Sequence, residues 1–234
     1  MTVTERNVWR PVLGVAFRDA VTGVVVRDGL RVSARLDGRT RALVRSGDGA
    51  GWSLHSDREP PAGEVALHIE DDQARYLPAV VSLPAGFVTF TLSAAAARRV
   101  PAGFGQVRAT VQDRATRRPL PGVRLDVTVA GVERSGHADG RGEVLVCLPW
   151  PKTAPAVAGT LPPADRTWSV AVKAAVPAQP PPAGADFALD LAAAYSPRKI
   201  AAKTGGGAAL PQQTLRYGTT LVLTTEGETA LLLL

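Results

Sequence analysis

Apolar and polar residues alternate with a period of two along much of this chain, the spacing of strands that bury one face. Leu30-Arg31-Val32-Ser33-Ala34-Arg35-Leu36 alternates strictly, Asp37-Gly38 supplies a hairpin-type turn, and Arg41-Ala42-Leu43-Val44-Arg45 can pair back. Val12 to Phe17 is an apolar run with β-branched members, closed by a turn over Arg18-Asp19-Ala20-Val21-Thr22-Gly23. Ser46-Gly47-Asp48-Gly49 turns into Trp52-Ser53-Leu54, and Val65 to Ile69 and Phe87 to Leu92 complete a first set of strands. Further on, Val144 to Leu148 is continuously apolar and Trp168 to Ala174 alternates again. Leu215 to Thr225 and Thr229 to Leu234 predict a closing hairpin around Glu226-Gly227-Glu228. Residues 186–195 fit two patterns. Asp186 can cap a short helix over Phe187 to Ala194 with Phe187, Leu191 and Tyr195 on one face, or Phe187, Leu189 and Leu191 can alternate as a strand.

Residues 93–103, Ser-Ala-Ala-Ala-Ala-Arg-Arg-Val-Pro-Ala-Gly, interrupt the strand pattern, and after them it starts again. Val15-Ala16-Phe17-Arg18-Asp19-Ala20-Val21-Thr22 sits over Ala109-Thr110-Val111-Gln112-Asp113-Arg114-Ala115-Thr116. Gly29-Leu30-Arg31-Val32 then sits over Gly122-Val123-Arg124-Leu125, and Asp48-Gly49-Ala50-Gly51 over Asp139-Gly140-Arg141-Gly142. Three blocks in one order read as an internal duplication. The second half also carries Pro-rich stretches at 149–163 and 177–182, the latter with Pro180-Pro181-Pro182, a run that favours extended polyproline and cannot join a central strand.

Composition agrees with many short strands and turns. Of 234 residues 23 are Gly and 19 Pro, too many for a helical bundle. A lone cysteine, Cys147, excludes an intrachain disulfide and a thiolate zinc site. The first residues lack a secretion-signal pattern, and no apolar run reaches the roughly 20 residues of a membrane helix. The expectation is a soluble protein of the reducing cytoplasm with no membrane partner. The formal charge is +6, and all 27 basic residues except Lys152, Lys173, Lys199 and Lys203 are arginine. They are dispersed rather than clustered among stacking aromatics, so no nucleic-acid partner is expected.

Candidate chemistry is thin. His68-Ile69-Glu70-Asp71-Asp72 is where histidine meets carboxylates, but the spacing fits no ligand motif and solvated loop acids explain it. His137 falls in the duplicated hairpin and is expected at the surface. Cys147 lies within an apolar strand, where a buried structural thiol is the natural reading. Gly47 to Gly51 and Thr204 to Gly207 lack the Lys-Ser/Thr of a phosphate loop. No constellation assembles the roles of a reaction, so neither an enzyme, a cofactor, a metal nor a small-molecule substrate is expected.

Residues 109–146 carry Asp113-x-x-Thr116-x-x-Pro119-Leu120-Pro121-Gly122-Val123-x-Leu125, then Ala138-Asp139-Gly140-x-Gly142. This resembles the carboxypeptidase regulatory-like domain, a transthyretin-like or CnaB-type β-sandwich without catalytic residues, and residues 15–54 repeat it more weakly. Such domains often cross-link a Lys to an Asn; here Asn7 is the sole Asn and precedes the first strand, leaving only Lys173 with an Asp as an option. Pro11 to Val15, Arg27 to Val32, Arg99 to Gly103, Val107-Arg108-Ala109, His137 to Gly142, Leu148 to Pro151 and Leu215 to Gly218 together resemble proteins encoded beside bacterial contractile injection systems.

The expected fold is all-β: two tandem transthyretin-like or Ig-like sandwiches over 1–95 and 104–234, a linker at 96–103, Pro-rich insertions, and the optional short helix. The resemblance implies a non-enzymatic structural or adaptor subunit, at the baseplate or cap of a phage-tail-like particle, whose partners are neighbouring protein subunits. The alternative is a sandwich that binds carbohydrate or a cell-surface ligand. Candidate contact residues are Trp9, Trp150, Pro180, Pro181, Pro182, Leu231, Leu232, Leu233 and Leu234. Exposing the four terminal leucines would forgo several kcal/mol, at roughly 1.5–3 kcal/mol per buried side chain. They close their own domain or add a strand to a neighbour's sheet.

Overall fold

In the computed structural model the alternating segments are β-strands, and the inward-facing side chain of each pair is buried. The structure describes residues 10–36, 38–47, 49, 51–56, 63–84, 86–151, 165–201, 210 and 212–234. The fold is all-β; no α-helix occurs among these residues, and Gly184–Asp186 forms a short 3-10 turn. The chain forms two compact units, one of residues up to Leu92 with Asp190–Ala192, the other of Ser93–Leu189 with Ala193–Leu234.

The first unit contains β1 (Arg10–Asp19), β2 (Leu30–Leu36), β3 (Arg39–Ala42), β4 (Val44–Arg45), β5 (Trp52–Ser56), β6 (Val65–Asp71), β7 (Ala79–Leu83) and β8 (Gly86–Leu92). One sheet runs β4-β5-β1-β8, with β5 antiparallel and β8 parallel to β1. The other contains β7-β6-β2-β3, and Leu191 N–H donates to Val80 C=O (3.0 Å) beyond β7. Leu13, Phe17, Leu67, Ile69 and Leu92 are fully buried in this unit.

The second unit uses the same scheme. Its strands are β9 (Phe104–Asp113), β10 (Arg124–Val129), β11 (Val132–His137), β12 (Glu143–Pro149), β13 (Thr167–Pro177), β15 (Tyr195–Arg198), β16 (Gln213–Arg216), β17 (Thr220–Leu223) and β18 (Leu231–Leu233), whereas the two-residue β14 (Leu189–Asp190) lies at the edge of the β7-β6-β2-β3 sheet, beside β7. β9 stands where β1 stands, antiparallel to β12 and parallel to β17 and β18. The opposite sheet is β11-β10-β13-β15, with β16 also on β13. Leu125, Val127 and Val129 face its core as Val32, Ala34 and Leu36 face the other.

The duplicated turn shares its backbone bonds and its threonine cap. Asp19 N–H donates to Val24 C=O (2.9 Å) and Gly23 N–H to Asp19 C=O (2.8 Å); Asp113 N–H donates to Arg118 C=O and Arg117 N–H to Asp113 C=O, both 2.9 Å. The Thr22 hydroxyl donates to Asp19 (2.8 Å) and that of Thr116 to Asp113 (2.9 Å), closing each loop locally. The Thr116 amide, and then its hydroxyl, hold the Asp113 carboxyl below its usual range. The third block diverges. Gly49 is left-handed where Gly140 is not, and Gly142 is left-handed where Gly51 is not; Asp48 and Ala50 lie outside the described residues.

Of the two patterns open for 186–195 the strand spacing holds, and the closing hairpin is corrected. No α-helix forms over 187–194: Phe187 and Leu189 are both buried, as strand spacing requires, and Asp186 caps nothing. Nor do the last segments form a hairpin. β17 covers β9 only from Gln106 to Ala109, leaving Val111 to Asp113 for β18, so the two lie end to end along one strand.

Candidate functional site: an aromatic end on the second unit

β12 ends at Pro149, and Trp150 follows with its N–H on Gly103 C=O (3.1 Å). Its ring fits because position 105 is glycine: a Cβ there would come within 2.8 Å of the indole. Trp168 is the second residue of β13 and faces inward, in phase with Val170. Tyr217 is carried on the turn between β16 and β17, its N–H on Arg166 C=O (2.9 Å), with Gly218 at φ +74° completing the reversal.

The three rings meet. Trp150 lies 5.5 Å from Trp168 and 4.8 Å from Tyr217 between centroids, and Trp168 lies 6.5 Å from Tyr217, all tilted. Both tryptophans lean on the second core, whereas Tyr217 is 40% exposed. Polar groups flank them: Arg216 pairs with Asp165 (3.3 Å), and Gln212 donates to the Ser169 hydroxyl (2.5 Å). Such an end offers ring faces and a polar margin to a partner surface. Sequence reasoning found Trp150 here and missed Trp168 and Tyr217, whose only signals were an aromatic opening an alternating strand and a Tyr-Gly turn.

The other candidates are placed as follows. Trp9 lies outside the described residues. Pro180 and Pro182 are exposed, but Pro181 packs on Gly122, where a Cβ would meet its ring at 2.8 Å. Leu231, Leu232 and Leu233 are buried and Leu234 half-buried. Leu231 and Leu233 enter the main core; Leu232 faces a small cluster with Ala201, Ala230 and Leu234. They close their own domain.

The residues weighed for chemistry hold structure. Asp71 accepts from the Arg75 and Tyr76 amides and the Arg75 guanidinium. Burial raises its carboxyl, but the Arg75 guanidinium and amide outweigh it and hold the group below the usual range. Glu70 and Asp72 both pair with Arg31. Glu70 and His68 border an open hollow of about 370 Å³ with Leu30 and Leu43. No group of three metal-ligating side chains converges among the described residues. Cys147 is buried. Lys173 stands across from Asp126, but that carboxylate is engaged by Arg124 and by the Ser135 hydroxyl (2.6 Å). His137 departs from expectation: it is half-buried, its Nδ1 is 2.7 Å from the Ser93 hydroxyl, and its ring packs on Tyr195. Burial, with Arg124 nearby and only Asp126 opposing, pushes its pKa down to about 4.

No helix of the described residues is long and apolar enough to cross a membrane. No family model matches the chain, and no curated protein matches it. Among solved structures it is similar to the Bacillus anthracis TIE protein at 12% identity and a TM-score of 0.27, over 91% of this chain and 33% of that one. The chain thus spans about a third of that protein's length. It is also similar to the shaft pilin spaA from Lactobacillus rhamnosus GG (8% identity, TM-score 0.25, 94% of this chain and 96% of that one). The streptococcal ancillary pilin follows at 12% identity and a TM-score of 0.23, over 95% of this chain and 62% of that one. At these scores the likenesses assign neither a family nor an activity.

Proposed function

We propose that this chain is a non-enzymatic structural or adaptor subunit that docks onto other protein subunits. The observation that carries the reading is the aromatic end formed by Trp150, Trp168 and Tyr217. Large rings with a polar tip, backed by a rigid sheet, are the side chains on which protein interfaces anchor. The assembly is a phage-tail-like contractile injection particle, at its baseplate or cap; support for that step comes from the sequence resemblance at Pro11 to Val15, Arg27 to Val32 and Leu215 to Gly218. The test is fractionation of a tagged chain from its host. Co-migration with sheath and baseplate proteins, lost in Trp150→Ala and Tyr217→Ala variants that still fold, is expected. A chain found only in low-mass fractions sinks the particle reading.

A second reading shares the same observation, because stacked rings with flanking Arg, Asp and Gln groups also suit sugar faces. It expects the purified chain to be retarded in gels containing a polysaccharide, with a change in tryptophan fluorescence. A panel of polysaccharides without effect on either removes it.

A further inference from the structure

The two units treat the outer edge of their equivalent strand differently. In the second unit β18 is covered on both sides. Ala201 N–H donates to Leu232 C=O and Leu234 N–H to Lys199 C=O, each at 2.9 Å, while Leu232 N–H is taken by the buried Thr225 hydroxyl (3.0 Å). Leu233 C=O points the other way, accepting from Arg114 N–H of the chain leaving β9 (3.0 Å). In the first unit Leu92 C=O accepts in the same way from Ala20 N–H (3.1 Å), and Leu92 stands opposite Asp19 as Leu233 stands opposite Asp113. Alternation along the strand therefore turns the N–H and C=O of Phe87, Thr89 and Thr91 away from β1. β8 is the last strand of its sheet, and among the described residues nothing pairs with those groups.

This edge also lacks the devices that keep edges apart. Gly86–Leu92 contains no charge and no proline, and its pairing with β1 runs without a bulge. Phe87 is 72% exposed, and its ring rests on Gly14, where a Cβ would come within 2.6 Å.

We propose that β8 pairs antiparallel with β8 of a second copy of this chain, joining two first-unit sheets about a two-fold axis at Thr89. The pairing is self-complementary. Phe87 lies opposite Thr91 of the partner subunit and Thr89 opposite Thr89 of the partner subunit, and these outward-facing pairs exchange N–H···O bonds in both directions. Val88 lies opposite Phe90 of the partner subunit, an aromatic–β-branched pair of the kind that stabilises sheets. A two-fold contact matches a surface with itself, so on a chain of net charge +6 an uncharged strand is what can meet its own copy without repulsion. Residues 199–201 show the direction such a cover takes, since Ile200 bridges Leu233 antiparallel. This contact stands apart from the particle reading, because it forms in the purified chain alone.

Sedimentation of the full chain tests it. The wild type is expected to reach twice the mass of one chain as concentration rises. Thr89→Lys and Thr89→Pro, neither of which removes a bond to β1, are expected to weaken association at least tenfold with unchanged circular dichroism. Thr89→Cys should cross-link to itself under mild oxidation, and Val44→Cys, exposed on β4 at the far edge of the sheet, should not. A wild type monomeric at high micromolar concentration overturns the proposal. So does a dimer that survives both edge variants, or Val44→Cys cross-linking as readily as Thr89→Cys.

Discussion

Gly23 and Arg117 occupy one position of the duplicated turn and share one left-handed conformation, φ +72° and +60°. No atom lies within 4 Å of a Cβ placed at Gly23, so Gly23→Ala adds strain without a clash. Its expected cost is about 1 kcal/mol, read as a lower urea midpoint. Arg117 bears the same strain with its guanidinium 2.7 Å from Glu228. The Asp-x-x-Thr turn was legible in the sequence because its hydrogen bonds close within a few residues. His137 was not, because Ser93, Tyr195 and Arg124 reach it from three other segments. Its effect on stability has a definite sign. The folded pKa of about 4 lies below the unfolded value of 6.5, so the full contribution is present above pH 6.5 and is lost as pH falls toward 4. The loss is at most about 3 kcal/mol. Asp71 and Asp113, whose carboxyls are also lowered, lose their contributions further down in pH. Urea midpoints at pH 7 and pH 4.5 should therefore differ in the wild type by more than in His137→Gln; equal differences contradict the assignment.

Among the elements, the last strand shows how duplication diverged. β8 runs unbroken along β1, whereas between β17 and β18 the segment 224–230 replaces a single strand residue, the partner of Thr110. The sequence suggested a hairpin there because Glu226-Gly227-Glu228 is a turn signal, and it is a turn: Glu228 N–H donates to Thr225 C=O (2.9 Å). Periodicity cannot say whether the flanking strands pair with each other or follow one another along a third. Inside the bulge, fully buried Thr225 donates to Ala201 C=O (2.9 Å) and accepts from Leu232 N–H (3.0 Å). Thr225→Val keeps the shape and strands both backbone groups, so it should cost about 1–3 kcal/mol. Loss of amide-exchange protection at Leu232 would locate that cost. The Pro-rich run is likewise bound to the motif: Pro181 covers Gly122, and Gly184 N–H donates to Gly140 C=O (3.1 Å). Motif and insertion are thus one packed element, which composition alone could not reveal.

For the whole molecule, duplication was legible where matching residues perform the same local task, as in the Asp-to-Thr turn and at Gly29 and Gly122, both left-handed. It was misleading at Asp48 to Gly51, where matching glycines sit in different conformations. The aromatic end was legible only through Trp150, since Trp168 and Tyr217 arrive from β13 and a later turn that no linear pattern joins. The terminal leucines follow from the same distinction between a strand's faces and its edges. Four consecutive apolar residues demand cover on both faces, and here one face meets the second core while the other meets Ala201 and Ala230. Removing residues 228–234 therefore exposes Val111 and Ala201 and opens the β9 edge, rather than freeing an external contact arm. The truncated chain should lose the second unit's cooperative transition and become poorly soluble, because three fully buried leucines represent several kcal/mol. The first unit has its own fully buried core at Leu13, Phe17 and Leu67, and Phe17 packs 5.3 Å from Trp52. A near-ultraviolet signal from Trp52 should then persist in a truncated chain whose Trp9, Trp150 and Trp168 are replaced by Phe. Persistence of both transitions after truncation would show that the leucines are dispensable to their own domain.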